Sequence, residues 1–314
     1  MSRQATDKML CDARRGQLST LAYRSPSQGF MAEEARDAPK PEDSRALLIP
    51  FPLEASVTFG TGTAEGPQAM IAASAGLESY DEELGRDVMR EFGIATLETP
   101  KIATPLAAAL DQLAEIIEAS LAAGKLPLVL GGEHSLTAGA IAPFAAAFAD
   151  LAVLQFDAHA DLRESYRGER FSHACAMRRV LDHADVRLVQ VGLRSVSSGE
   201  VKFIEENRKR IFAHWAHERG VWDIDDIVAP LKGRPIYVSF DVDGFDSSLM
   251  PATGTPEPGG FFFDEACAIL AAAARVGRIV GGDVVELSPI AGMAACDVTA
   301  AKIAYKILGY GLAA

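Results

Sequence analysis

The segment LAVLQFDAHAD, residues 151–161, combines a strand pattern with a polar cluster and decides the fold class. Five of its first six residues are apolar, which predicts a buried β-strand. Asp157, His159 and Asp161 follow at once. Because they are spaced two residues apart, they face the same side of an extended backbone. In open α/β sheets, ligands bind beyond the carboxyl ends of the strands. The segment therefore predicts a buried strand that directs three ligating side chains into one pocket.

Similar apolar runs alternate with helical stretches along the rest of the chain. The predicted strands are 46–51, 126–130, 151–156, 186–191, 235–240 and 279–287, and the main predicted helices are 106–123, 136–149, 263–276 and 299–308. Short apolar runs between helices are typical of parallel strands that are covered on both faces. No repeat or linker interrupts the chain after residue 45. We therefore expect an N-terminal extension over 1–45, partly irregular, and one doubly wound α/β domain over 46–314.

Three more of these runs end in, or carry, polar residues. The run 126–130 leads into Gly-Gly-Glu-His-Ser with His134, the run 235–240 leads into Asp241 and Asp243, and the run 279–287 carries Glu286 near its end. Two carboxylates two residues apart repel each other unless a cation or a shared proton neutralises them. Burying such a pair without a counter-charge is very costly. The sequence therefore predicts a metal site at this edge of the sheet.

The candidate ligands form a mixed nitrogen and oxygen set without thiolates. They are His134, Asp157, His159, Asp161, Asp241 and Asp243. Such a set favours Mn²⁺ or a similar hard ion over structural zinc. Six ligands rich in carboxylate exceed the needs of one catalytic zinc and suit two neighbouring ions. Taken alone, the segment from Asp157 to Asp161 also fits a polar turn after a strand.

Two further stretches border this region. His173 follows a polar loop close behind residue 161, where it either transfers protons at neutral pH or serves as an ordinary loop or capping histidine. Residues 253–260, TGTPEPGG, contain two prolines and three glycines and cannot form regular structure. They lie close behind the Asp241 cluster, so they form either a wall of the active site or a plain connecting loop.

The formal net charge of −13, from 43 acidic and 30 basic residues, argues against a nucleic-acid or anionic-membrane partner. It suits a small cation or a metal. The four cysteines are widely spaced, which favours a reducing compartment. Residues 1–23 lack the apolar run of a signal peptide, and the longest apolar stretch, 138–149, is too short to span a membrane. We expect a cytoplasmic protein.

Three motifs in order resemble the signatures of the ureohydrolases, the arginase–agmatinase family: GGEHS at 131–135, DAHADLR at 157–163 and SFDVDGFD at 239–246. The shorter stretches SYDEEL at 79–84 and FSHA at 171–174 look more like agmatinases than arginases. The resemblance implies a three-layer α/β/α arginase-like fold with a central, mostly parallel sheet. It also implies two Mn²⁺ ions per subunit and a homo-oligomer, a trimer or a hexamer.

The resemblance also implies individual roles. One ion would be held by His134, Asp157, Asp161 and Asp241, and the other by Asp157, His159, Asp241 and Asp243. Asp157 and Asp241 would bridge the two ions. Three residues would be catalytic: Asp161 would orient a hydroxide that bridges the ions, Glu286 would pair with the substrate guanidinium, and His173 would shuttle a proton.

The expected reaction is hydrolysis of a small cationic guanidino compound, most simply agmatine to putrescine and urea. The same chemistry on N1-aminopropylagmatine, 4-guanidinobutyrate, arginine or formiminoglutamate stays open. Arg163 stands where arginases carry an asparagine that grips the substrate α-carboxylate, which disfavours arginase, although an arginine can itself bind a carboxylate. The alternatives from other classes are a metal-dependent deacetylase-like amidohydrolase and an inactive regulatory homologue.

Overall fold

The computed structural model describes residues 21–313. The strands are β1 (Ala46–Phe51), β2 (Tyr80–Asp81), β3 (Arg86–Asp87), β4 (Ile94–Thr96), β5 (Leu126–Gly131), β6 (Ala152–Phe156), β7 (Arg187–Leu193), β8 (Ile211–Trp215), β9 (Pro235–Asp241) and β10 (Arg278–Val285). The α-helices are α1 (Gly66–Ser74), α2 (Val88–Phe92), α3 (Leu106–Ala122), α4 (Leu136–Ala147), α5 (Ala176–Val180), α6 (Ser198–Glu206), α7 (Ile224–Val228), α8 (Phe263–Val276) and α9 (Ala294–Ala313). All six predicted strands form, within two residues at each end, and β4 and β8 are additions at the edges.

Eight strands form one sheet in the order β4-β1-β5-β10-β9-β6-β7-β8, and every neighbouring pair in it is parallel. Strands β2 and β3 form a separate antiparallel pair. Between β5 and β6 the chain crosses to the other side of β10 and β9. Such a switch in strand order opens a crevice at the carboxyl ends of the strands, where ligands bind in this class of sheet.

Both faces of the sheet are covered by helices. On one face, strand residues such as Leu48 and Leu128 belong to a core that includes residues of α1, α7, α8 and α9. On the other face, Leu47 and Val129 belong to a core that includes residues of α3, α4 and α5. Successive strand residues point to opposite faces, so one apolar run supplies both cores. The predicted three-layer α/β/α fold is confirmed.

Part of the expected N-terminal extension packs on the domain. Phe30 and Met31 are buried in the first of the two cores, and their backbone N–H groups donate to Thr96 Oγ1 and Ser74 Oγ at 2.9 and 2.8 Å. Residues 1–20 of the extension lie outside the described residues, and the division at residue 45 stays a prediction. Among the helices within 21–313, none is both long enough and apolar enough to cross a bilayer.

A close approach between the two central strands requires glycine at position 282. A Cβ atom on Gly282 in β10 would lie 2.3 Å from the carbonyl oxygen of Val238 in β9, which no side chain tolerates without backbone movement.

We expect Gly282→Ala to lower the free energy of unfolding by about 2 kcal/mol or more, because the added methyl group overpacks the sheet. Urea denaturation followed by circular dichroism measures the change. Gly220→Ala is the control, since a Cβ there meets no atom within 4 Å. Equal stability of the two variants would contradict this account of the sheet.

Candidate metal centre

Four adjacent strands bring polar residues to one edge of the sheet. Strands β5, β10, β9 and β6 are neighbours, and the polar clusters that follow or end them meet at their carboxyl ends. A cavity of about 320 Å³ opens there. Its walls include six residues that bear on the chemistry: His159, Asp161, His173, Asp241, Asp243 and Glu286. The convergence predicted from the sequence is therefore present in the structure.

His134 lies beneath this cavity, among three carboxylates. Its Nδ1 is 3.2 Å from Asp157 Oδ2, 3.0 Å from Asp161 Oδ2 and 3.2 Å from Asp241 Oδ2. The side chain is 1% exposed, and Nδ1 has no hydrogen-bond partner of acceptable geometry among the described residues. A buried ring nitrogen without a partner is rare in folded proteins. Three oxygens converging on such a nitrogen fit the coordination of a cation.

A second group adjoins the first. His159 Nδ1 lies 3.0 Å from Asp243 Oδ2 and 3.5 Å from Asp157 Oδ1. Two sets of ligand atoms are compact enough to hold a metal ion: His134 with Asp157 and Asp241, and Asp157 with His159 and Asp243. Asp157 belongs to both sets. The geometry therefore offers two adjacent sites with one shared carboxylate, whereas a bridging role for Asp241 stays a prediction.

Burial and mutual repulsion raise the pKa of two carboxyl groups in this cluster. Burial, followed by the charges of Asp243 and Asp157, raises the pKa of Asp241 well above its ordinary value. Burial, followed by the charge of Glu133, raises the pKa of Glu286 in the same way. A nearby cation would reverse both effects by favouring the ionised forms. Carboxylate and imidazole donors without thiolates suit a hard divalent ion, so the residues fit the metal pair that the sequence predicts.

Two of these acidic residues have left-handed backbone conformations. Asp161 has φ 52° and Glu286 has φ 66°, a region that residues other than glycine seldom adopt. Such a conformation costs on the order of 1–3 kcal/mol and persists only where the surroundings enforce it. Here the Glu286 N–H donates to the Gly132 carbonyl at 2.8 Å, and the carbonyl of Asp161 accepts from Arg178 N at 3.0 Å. These two hydrogen bonds hold the backbone of Asp161 and Glu286 in the left-handed conformation.

An outer layer of hydrogen bonds, which the sequence analysis missed, orients His134. Ser239 Oγ lies 2.9 Å from His134 Nε2 and donates its single proton to Asp283 Oδ1 at 2.9 Å. Tyr237 and Thr137 donate to the other oxygen of Asp283 at 2.5 and 2.8 Å. Because the Ser239 proton is engaged, its oxygen must accept from Nε2–H. Nδ1 is therefore left with a free lone pair that faces the carboxylates, as a metal ligand requires.

His173 is held by hydroxyl groups. Its Nδ1 lies 2.9 Å from Ser56 Oγ and its Nε2 lies 2.7 Å from Thr58 Oγ1. Ser56 Oγ in turn donates to the buried carboxylate of Glu133 at 3.1 Å. Burial is the main cause that lowers the pKa of His173 to about 4, so its ring is neutral at pH 7. The cavity thus contains a fixed, uncharged imidazole.

Comparison with known proteins gives consistent matches. Residues 44–309 match the arginase family. The N(1)-aminopropylagmatine ureohydrolase of Thermus thermophilus is 36% identical over 270 residues, covering 85% of this chain and 90% of that protein. The agmatinase of Pyrococcus horikoshii is 33% identical over 273 residues, covering 85% and 92%. Among solved structures, the agmatine ureohydrolase of Thermoplasma volcanium has a TM-score of 0.78 at 29% identity, covering 88% of this chain and 93% of that one.

We expect Asp283→Asn to weaken Mn²⁺ binding about 10–100-fold, because Ser239 loses the charged acceptor that fixes the His134 ring. Isothermal titration of the metal-free protein with Mn²⁺ measures the affinity, and elemental analysis after dialysis measures how much metal is retained. The control is Asp111→Asn on the exposed side of α3, which removes the same charge far from the site. Equal affinities of the two variants would rule out this role for Asp283.

Proposed function

We propose that this chain, which belongs to the arginase family, releases urea from a guanidino compound whose other end carries an amine. The chain is a hydrolase that acts on C–N bonds of linear amidines. One observation carries the proposal. Two adjacent sets of potential metal ligands meet at a single cavity, whose walls include His159, Asp241 and Asp243, and the half-buried carboxylate of Glu286 lies on the same walls. Two ions would activate a water molecule, and a carboxylate would bind the cationic guanidino group.

The side chains that would hold two Mn²⁺ ions are His134, Asp157, His159, Asp161, Asp241 and Asp243. When bound, the ion pair lowers the pKa of water and supplies a hydroxide nucleophile near neutral pH. Asp161 is buried, and its left-handed backbone places the carboxylate 3.0 Å from His134 Nδ1 at the floor of the cavity. From there it accepts a hydrogen bond from the attacking water and orients it.

Glu286 is placed to bind the guanidinium group. Its Oε1 accepts from the backbone N–H of His134 at 2.7 Å, which fixes the carboxylate relative to the ligand cluster. Its partly buried carboxylate faces a cationic substrate with little competition from water. A guanidinium and a carboxylate form charge-assisted, often paired hydrogen bonds. Glu286 therefore holds the guanidino group beside the candidate metal ligands.

His173 transfers a proton from the attacking water to the leaving amine. Because its ring is neutral at pH 7, it first accepts a proton that the attacking water releases. It then donates this proton to the nitrogen of the leaving amine as the C–N bond breaks. The second proton of the water passes from the new oxygen to the amine nitrogen as the C=O bond forms, so the carbon is released as neutral urea and the amine departs as an ammonium.

N(1)-aminopropylagmatine is the substrate that we favour, and agmatine is the second candidate. The motifs alone predicted agmatine, but the Thermus thermophilus relative at 36% identity is named for the aminopropyl compound, and the agmatinase relative is 33% identical. The match to the arginase family favours a ureohydrolase over a deacetylase-like amidohydrolase. A trimeric or hexameric assembly and a cytoplasmic location stay predictions.

With Mn²⁺ bound, we expect the protein to release urea and amine in equal amounts, with a higher kcat/KM for N(1)-aminopropylagmatine than for agmatine. Asp243→Ala should lose about 100-fold or more in kcat, since removing a ligand costs more than the 10–100-fold typical of an outer-shell partner. Colorimetric urea and chromatographic amine assays measure both. Asp111→Ala is the control. No urea from any guanidino compound by fully loaded protein, or full activity of Asp243→Ala, would refute the proposal.

His173→Asn should lower kcat about 10²–10⁴-fold and change KM by less than about threefold, because general acid–base catalysis acts on the transition state. Steady-state kinetics over a range of substrate concentrations separates the two constants. His183→Asn, outside the cavity, is the matched control. An effect confined to KM would assign His173 to substrate binding instead.

A further inference from the structure

The TGTPEPGG loop, residues 253–260, forms part of the cavity wall and is fixed at several points. The Gly254 carbonyl accepts from Gly60 N at 3.1 Å, and Thr255 Oγ1 donates to Asp243 Oδ2 at 3.1 Å. The N–H groups of Gly259 and Gly260 donate to Asp246 Oδ2 at 2.6 and 3.2 Å. The sequence left open whether this was a wall or a plain connection. In the structure it is a wall, held against the metal-binding cluster.

Arg194 fixes the middle of the same loop. Its guanidinium donates to the carbonyl of Glu257 at 2.9 Å and to that of Pro258 at 3.1 Å. Its other hydrogen bonds go to further backbone carbonyls, those of Gly192, Asp243, Gly244 and Phe245. Arg194 therefore acts as a clamp on the backbone and forms no ion pair with the Glu257 carboxylate. The backbone of Glu257 is therefore held in place before any ligand arrives, which favours tight recognition.

Glu257 is half-buried and lines the cavity together with Glu286 and Asp243. Within residues 21–313, nothing donates a hydrogen bond to its carboxylate and no cationic side chain lies within 4.0 Å of it. Glu200 also lines the cavity, but its carboxylate already has hydrogen-bond partners. Its carboxylate accepts from Leu162 N, Ser197 N and Ser197 Oγ at 3.1, 2.9 and 2.6 Å. Glu257 is thus a half-buried carboxylate on a fixed backbone, and an incoming cation can pair with it.

The two cationic side chains beside the cavity opening, Arg163 and Arg167, already have partners within the protein. Arg163 and Arg167 lie over the Tyr166 ring, 5.5 and 5.1 Å from its centroid. Arg163 Nε is 3.9 Å from the carboxylate of Glu200, and Arg167 donates to the backbone of residues 57 and 58. Phe59, 87% exposed, adds an apolar surface at the rim. This side of the cavity therefore offers apolar contact for methylene groups, together with the Glu257 carboxylate, which has no cationic partner among residues 21–313.

We propose that Glu257 binds the ammonium group at the distal end of the substrate and sets the preference for amine-tailed guanidines. The inference rests on the proposed function, which places the guanidino group at Glu286. The two carboxylates then bind the two ends of a dication across one cavity. For N(1)-aminopropylagmatine, either the internal or the terminal ammonium can occupy this position.

The test compares three substrates that differ only at the distal end: agmatine with an ammonium, 1-butylguanidine with no charge, and 4-guanidinobutyrate with a carboxylate. We expect Glu257→Gln to lower the ratio of kcat/KM for agmatine over 1-butylguanidine by about tenfold or more, chiefly through KM. Glu118→Gln, which removes an exposed charge from α3, should keep this ratio within about twofold. Urea release by Mn²⁺-loaded, full-length protein gives the constants.

An unchanged ratio in Glu257→Gln would overturn the proposal. So would a wild-type preference for 4-guanidinobutyrate that Arg163→Gln abolishes, because the tail would then bind to Arg163. Calorimetric titration of the Mn²⁺-loaded protein with agmatine gives a readout that does not depend on turnover. Should the wild type release no urea, the proposed function fails. Tenfold weaker agmatine binding in Glu257→Gln would still support this inference, and equal binding would refute it.

Discussion

The repulsion among four aspartates, buried at one edge of the sheet, is the constraint on which the site depends. Asp157, Asp161, Asp241 and Asp243 surround two imidazoles within about a hydrogen-bond length. Backbone groups relieve part of the repulsion: Asp157 accepts from the amide of residue 159 at 2.5 Å, and Asp241 accepts from Asp243 N at 2.8 Å. These bonds cannot balance several buried negative charges. A cation bound here would therefore stabilise this edge of the sheet.

The topology explains why the fold can hold such a cluster. All strands of the main sheet run in the same direction, so the carboxyl ends of β5, β10, β9 and β6 necessarily share an edge. Helices cover both faces, and the strands between them are close-packed and do not yield to the repulsion. Two residues of the site just beyond the strands, Asp161 and Glu286, have the left-handed backbone conformation, and hydrogen bonds to neighbouring backbone groups hold them there.

Much of this was predictable from the sequence, because the central strands are uninterrupted apolar runs that lead into or carry polar residues. Spacing by two residues also assigns Asp157, His159 and Asp161 to one side of the chain. The sequence did not predict the edge strands, because β4 has only three residues and β8 is mostly half-buried and lacks a clear apolar run. Contacts between distant segments leave no local pattern in the sequence. Ser56 and His173, for example, are hydrogen-bonded although they are 117 residues apart. A lone Asp283 in an apolar run was the available signal for the outer layer, and it was missed.

In the proposed mechanism, the reaction and the substrate preference are controlled by different parts of the chain. The candidate metal ligands and Glu286 lie at or just beyond the strand ends, where a shift of one ligand would disturb the whole sheet edge. Loops carry Glu257 and Arg163, and loops tolerate substitution, so the distal end of the substrate is where related hydrolases can diverge. From the sequence, Arg163 was a candidate for binding a carboxylate. Its position over Tyr166, within 3.9 Å of the Glu200 carboxylate, weakens that interpretation, because a second carboxylate would meet a cation already partly neutralised.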